Sequence, residues 1–232
     1  MFKKIFFIVL ALFFMLISYG QQVNMIHIET TSDLIIYYPQ YSDIDLVCEI
    51  MPSKNDESVL FCCGAAFTGE LLDEFKHSNI AGHHVSGGKF YKGYSCRPNT
   101  GCFVYYQNKW KFLLHNYAAE LRLAAENGGM GFGQNMIIYN GKTQPSFKKL
   151  HSKFHYRALC EYKGKLCVID SKEIVSYASF ISFLEQIEVA HALYLDMGRG
   201  WNHSWYRGND GKVVEIHPKT HSYITNWLVF KK

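Results

Sequence analysis

Short apolar runs separated by turn residues govern what this chain can fold into. Residues 33–38, 58–63, 103–106, 110–114, 136–139, 157–162, 165–170 and 192–195 are each a few residues long and rich in β-branched or aromatic side chains, so each reads as a strand. Val59-Leu60-Phe61-Cys62-Cys63 lacks polar alternation, the mark of a strand buried on both faces. Asn140-Gly141 closes one strand, and Lys163-Gly164 is a two-residue turn that makes residues 157–162 and 165–170 a hairpin.

Three segments carry helix signals. Thr68 is an N-cap ahead of Glu70, Leu71, Leu72 and Phe75; residues 117–126 sit between a capping Asn116 and the stop Gly128-Gly129; and Phe180, Phe183, Leu184 and Ile187 repeat at helical spacing after a capping Ser176. With 48% hydrophobic and 19% charged residues the chain is too apolar for disorder. No repeat, charge block or low-complexity linker divides it. The expected fold is α+β: a mixed, largely antiparallel sheet with a few covering helices, in one domain over residues 21–232.

The first twenty residues read differently. Lys3 and Lys4 precede an apolar run from Ile5 to Ile17, and Ser18-Tyr19-Gly20 supplies a small-residue cleavage site, the three parts of a secretory signal peptide. As a helix that run spans about 20 Å, short of a ~30 Å hydrocarbon core, so no stable membrane anchor is expected after removal of residues 1–20. No cysteine follows the site to carry a lipid. The expected location is secreted or periplasmic, at a bacterial envelope. Cleavage leaves 22 basic against 20 acidic residues, and nothing in that balance suggests nucleic-acid binding.

Seven cysteines in an exported chain cannot all pair within it. Cys96 and Cys102 flank the turn-rich Arg97-Pro98-Asn99-Thr100-Gly101, which a disulfide would close. Cys160 and Cys167 fall opposite each other in the Lys163-Gly164 hairpin at a hydrogen-bonded position, a poor disulfide site, and read as buried thiols. Cys62 and Cys63 face opposite sides of their strand. His83-His84 and His151/His155 lack carboxylate or cysteine neighbours at ligand spacing, so no metal and no cofactor is expected. Gly128-Gly129-Met130-Gly131-Phe132-Gly133 precedes a strand rather than joining strand to helix, and so is not a dinucleotide fingerprint.

A helix followed by the strand Ala192-Leu193-Tyr194-Leu195 ends on Asp196, and the loop from Met197 to Arg207 mixes glycines with polar and aromatic residues. With Gly64-Ala65-Ala66-Phe67 after the buried strand and Arg157-Ala158-Leu159 opening the hairpin, the order resembles the phosphodiester glycosidase family. Bacterial members of that family were long catalogued as a domain of unknown function, and its best-known member uncovers mannose 6-phosphate on lysosomal enzymes. The resemblance spans roughly residues 59–207. It implies an exported hydrolase cleaving a sugar-1-phosphodiester or related glycosidic bond, with a carbohydrate or glycan phosphodiester as partner. Alanines stand where the family has its second glycine and first phenylalanine, and Met197 and Arg199 interrupt the glycine run after Asp196. These departures motivate the alternative, a non-catalytic glycan- or envelope-binding protein on the same fold.

The chemistry can be argued on its own. An ordinary glycosidase uses two carboxylates because an alkoxide leaving group must be protonated. A sugar-linked phosphate leaves as a monoester with a second pKa of about 6, so one carboxylate and one cation suffice. Arg157 is the expected bidentate phosphate clamp and Asp196 the nucleophile, base or charge stabiliser. Trp201, Trp205 and Tyr206 are candidates for stacking on a sugar ring, as is Phe67 by the resemblance, and Asn202 and His203 for bonding its hydroxyls. Each residue also has a structural role open to it: Asp196 as a turn cap, Arg157 as a surface hairpin residue, the aromatics as packing. For the leader the expected outcome is definite: protein from the native host begins at about Gln21, and a chain beginning at Met1 would refute export.

Overall fold

A computed structural model describes residues 25–68, 80–93, 100–145, 148–197, 202–217 and 224–232. Within them the expected balance of helix and strand is overturned. The protein is mostly β, with 53% strand and 11% helix, and two helices where several were expected to cover the sheet. The 18 strands among the described residues form an eleven-stranded sheet, a five-stranded sheet and a two-stranded ribbon. Their described pairings are all antiparallel. Antiparallel pairing needs no helical crossover, whether a hairpin joins the strands, as at Arg157–Tyr162 and Lys165–Ser171, or they lie far apart in the chain, as with Asp43–Cys48 and Asn226–Lys231.

Besides three two-residue strands, seven strands were not legible as runs: Ile26–Thr30, Asp43–Cys48, His84–Ser86, Lys89–Tyr91, Ser204–Arg207, Val213–His217 and Asn226–Lys231. Ser204–Arg207, expected as loop, pairs with both Val213–His217 and Val59–Gly64. The helix signal after Thr68 falls on residues 69–79, outside the described residues, as do the leader, Cys96 and Trp201. Among the described residues no helix is long and apolar enough to cross a membrane.

Burial follows the two-residue period of the strands. Tyr37, Phe103, Phe132, Leu159, Val168 and Leu193 from the large sheet meet Leu46, Phe61, Cys63, Leu228 and Phe230 from the five-stranded sheet in one core. On the other face of the large sheet, Ala158, Cys160, Cys167, Ile169, Ala192 and Tyr194 pack under the Tyr177–Gln186 helix. That helix starts as read, with the Ser176 side chain accepting from the Ser179 N–H at 3.0 Å. Cys62 belongs to a separate outer cluster with Trp205 and Trp227, so adjacent Cys62 and Cys63 do face opposite sides. Cys160 and Cys167 are direct cross-strand partners, and both are buried free thiols.

The glycine-rich segment serves packing. Gly131 and Gly133 lie in the Met130–Tyr139 strand, and the Ala118–Glu126 helix rests on them. A Cβ on Gly131 would stand 2.7 Å from Leu121 Cδ2 and 2.8 Å from the Phe103 carbonyl oxygen. A Cβ on Gly133 would stand 2.4 Å from the Tyr117 hydroxyl oxygen. The helix is not capped by Asn116 as expected. Tyr117 takes the N-cap position without a side-chain capping hydrogen bond, and Asn116 adopts a left-handed backbone (φ 43°) just before it.

Because Gly131 is crowded by backbone as well as by a side chain, Gly131→Ala should cost about 1–3 kcal/mol. A thermal melt should show this as a drop of several degrees. An unchanged melting temperature would mean that the helix does not rely on this close approach.

Candidate functional site

The site starts from a turn. Lys163 (φ 52°) and Gly164 (φ 69°) both adopt left-handed backbone, the requirement of a tight hairpin turn whose twist matches its strands. That turn sets the register Arg157↔Asp170. Directly opposed residues point to the same face, so the guanidinium and carboxylate meet: Arg157 Nε donates to Asp170 Oδ1 at 2.6 Å and Nη2 to Oδ2 at 2.5 Å. Arg157 is 0% exposed and Asp170 2%. Burial works against the Arg157 charge, but the Asp170 carboxylate outweighs it and holds the guanidinium pKa above its usual value.

Other polar groups gather on this inter-sheet face. His217, the strand partner of Ser204, places Nε2 4.0 Å from Asp170 Oδ2 and its ring 5.1 Å from that of His155. Burial, reinforced by Arg157 and His155 and opposed by Asp170, takes the His217 pKa down to about 4, so its imidazole is neutral at pH 7. Burial pushes the Cys63 thiol up to about 12 against the pull of Arg157, which leaves a thiol and no thiolate nucleophile. Arg157 Nη1 and His155 Nδ1 are buried atoms without a hydrogen-bond partner.

Asp196 stands at the same end of the sheet. Arg157 pairs with Leu195, so Asp196 is the next residue along, and its N–H donates to the Ala65 carbonyl at 3.0 Å. This brings the chain after the buried strand beside the chain after Leu195. Asn226, 1% exposed, clamps that segment: its Oδ1 accepts from the Ala66 N–H at 2.8 Å and its Nδ2 donates to the Ala66 carbonyl at 3.1 Å.

The aromatic and cationic groups nearest this end lie on the helix-covered face. Phe67 packs its ring 5.5 Å from that of Tyr194, two residues before Asp196. Lys148, half-buried, donates from Nζ to the Tyr194 hydroxyl at 2.9 Å. Burial lowers the Lys148 pKa, and the Asp196 carboxylate pulls it back up. Asp196 therefore acts electrostatically on Lys148 and Tyr194, whereas the Arg157 fork is spent on Asp170 across the sheet. On the five-stranded sheet, His203 is buried with Nε2 3.3 Å from Glu215, which also binds Lys54 at 2.6 Å; Asn202 is half-buried beside it.

Sequence reasoning missed Asp170, His217, Asn226 and Lys148, and weighed His155 only as a metal ligand. Asp170 alone had a usable signal, because the Lys163-Gly164 turn fixes it opposite Arg157 by counting. Among the described residues no group of three or more His, Cys, Asp or Glu could hold a metal ion.

Removing one partner of a buried pair strands the other charge, which generally costs about 3–5 kcal/mol. Asp170→Asn should therefore destabilise the protein by about that much in a denaturant titration. Replacing both Arg157 and Asp170 with apolar residues of similar size should recover part of the loss. A single variant as stable as the parent would show that the pair is not enclosed.

No family model matches the chain, and no curated protein matches it. Among solved structures, the chain is similar to the zebrafish N-acetylglucosamine-1-phosphodiester alpha-N-acetylglucosaminidase catalytic domain, auto-inhibited by its pro-peptide. The two superpose with a TM-score of 0.61 at 12% identity, over 89% of this chain and 81% of that one. At that identity the likeness is one of fold: this chain is built on the same architecture as a phosphodiester glycosidase catalytic domain.

Proposed function

We propose that this chain is an exported hydrolase that cleaves a sugar-1-phosphodiester or a related glycosidic bond. The observation that carries the reading is the fold likeness over 89% of the chain to a domain named for action on an N-acetylglucosamine-1-phosphodiester. Asp196 and Arg157 stand at one strand end of that fold.

In this reading Asp196 is the reacting carboxylate, acting as nucleophile, base or stabiliser of positive charge at the anomeric carbon. The departing phosphate monoester has a second pKa of about 6 and leaves without a dedicated acid. Arg157 contributes a permanent buried charge, with Nη1 as the nitrogen that Asp170 does not engage. Phe67, Asn202, His203 and Trp201 are proposed sugar contacts, Trp201 lying outside the described residues. Export through removal of residues 1–20 belongs to the proposal.

One observation favours the second reading, a non-catalytic glycan- or envelope-binding protein. Ala65 and Met197, which stand where the family has glycine, are 0% and 4% exposed, so their side chains fill space that glycine would leave for a ligand's approach.

Incubating the purified protein with an N-acetylglucosamine-1-phosphodiester separates the two. For the enzyme, turnover should occur and Asp196→Asn should reduce it roughly 1,000-fold, about 4 kcal/mol of transition-state stabilisation. Saturable binding with no turnover, unchanged in Asp196→Asn, identifies the binding protein.

A further inference from the structure

We infer that Gln134 is a ligand-binding residue, whose side-chain amide donates together with Arg157 Nη1 to the oxygens of one phosphoryl group at the Asp196 strand end. The inference rests on the reading that the ligand carries a phosphoryl group.

Strand register brings the two residues together. Arg157 is opposite Leu195, and Leu193 is opposite Met136. Because the strands run antiparallel, two residues on from Leu193 is Leu195 and two residues back from Met136 is Gln134, level with it across the sheet. Phe132, Met136, Leu193 and Leu195 belong to the inter-sheet core, and Gln134, midway between Phe132 and Met136, shares their face. Arg157, Leu195 and Gln134 therefore form one row. With neighbouring strands about 4.8 Å apart, the outer two are roughly 10 Å apart at Cα, a gap that two long side chains and a tetrahedral oxyanion span.

Both side chains hold buried donors that the fold does not use. Gln134 is 2% exposed, and its Oε1 accepts from the Asn135 N–H at 2.9 Å, which identifies the other end of the amide as the NH2. That Nε2 is buried with no hydrogen-bond partner among the described residues. Its surroundings show why. Phe132, Met136 and Leu195 offer no side-chain acceptor, and Gly101, opposite Gln134 on the other side, has no side chain at all; a Cβ there would stand 2.4 Å from Met136 Cε. Arg157 engages Asp170 through Nε and Nη2, so Nη1 lies on the guanidinium edge turned away from that carboxylate, and it too is buried without a hydrogen-bond partner. The Cys63 thiol faces the guanidinium, but sulfur is a weak acceptor. Solvent is close at hand: His217, whose Nε2 is 4.0 Å from Asp170 Oδ2, has a side chain 19% exposed.

The chemistry of the occupant follows. Each free group only donates, and one carries a full positive charge, so the fitting partner only accepts and is anionic. The two unbridged oxygens of a phosphodiester match the two donors. A buried donor without an acceptor weakens the folded state, and an arriving oxygen relieves that cost as it forms the new bond.

Gln134 is the residue to change, because removing Arg157 also strands Asp170. Gln134→Met keeps the length of the side chain and loses the amide. Inorganic phosphate, titrated calorimetrically into the full chain, should bind the parent, bind Gln134→Met at least tenfold more weakly, and bind Gln186→Met, changed at an exposed glutamine, as it binds the parent. Without phosphate, Gln134→Met should melt at or above the temperature of the parent, since an unpartnered polar group is gone. With the N-acetylglucosamine-1-phosphodiester, Gln134→Met should raise KM at least tenfold while kcat stays within a few-fold. No phosphate binding by the parent, undiminished binding by Gln134→Met, an equal loss in Gln186→Met, or a loss confined to kcat would each overturn the inference. A Gln134→Met chain that melts well below the parent or fails to fold would also overturn it, by showing that the amide serves the fold. Phosphate binding that depends on Gln134, in a protein that turns over no phosphodiester, would uphold the inference and defeat the hydrolase reading.

Discussion

The Arg157–Asp170 pair sets the terms for the rest of the structure. Two full charges lie between sheets that otherwise meet through Tyr37, Phe61, Leu159 and Val168. Removing them from water is expensive, and the cost is offset only by a two-bond geometry and by neighbours that tolerate the field. Those neighbours behave accordingly. His217 stays neutral, Cys63 stays a thiol, and burial together with Asp170 raises the Tyr37 phenol above its usual range. A slip of one residue in the hairpin would turn Arg157 and Asp170 to different faces and leave both charges unpaired. The left-handed Lys163-Gly164 turn excludes that slip.

Alternation along the strands then separates the roles. Leu193 and Leu195 join Arg157 on the inter-sheet side, while Ala192 and Tyr194 face the Tyr177–Gln186 helix. The same strand end therefore carries an enclosed arginine on one face and an aromatic, lysine-bearing surface on the other. Asp196 follows Leu195 where the ladder stops, and its electrostatic partners Lys148 and Tyr194 belong to the second face. Asn226 ties Ala66 from the last strand of the chain, so the segment that meets Asp196 is held by the C-terminus as well as by its own strand.

What the sequence determined by itself was local. Apolar runs located the buried Val59–Gly64 strand; the Lys-Gly pair located the hairpin and with it the Cys160↔Cys167 register; Ser176 and the spacing of Phe180 and Leu184 located a helix. These signals are encoded in neighbours a few residues apart, as turn conformation, capping and periodicity are. The order of motifs also pointed to the fold shared with the zebrafish catalytic domain.

Only the tertiary structure decided the rest. Whether the short segments Asp43–Cys48, Ser204–Arg207 and Asn226–Lys231 become strands depends on a partner far away in the chain, and local pattern carries no trace of it; this is why a balanced α+β fold was expected and a mostly β one found. Arg157 read as a surface residue from its local sequence and as a phosphate clamp by the resemblance, because exposure is a property of what packs on top, here the second sheet. Lys148 carried no signal at all, since an exposed lysine and one drawn into an aromatic sleeve look identical until Phe154, Tyr156 and Tyr194 are brought around it. Burial and long-range pairing set the charges of this site, and neither is a property of adjacent residues.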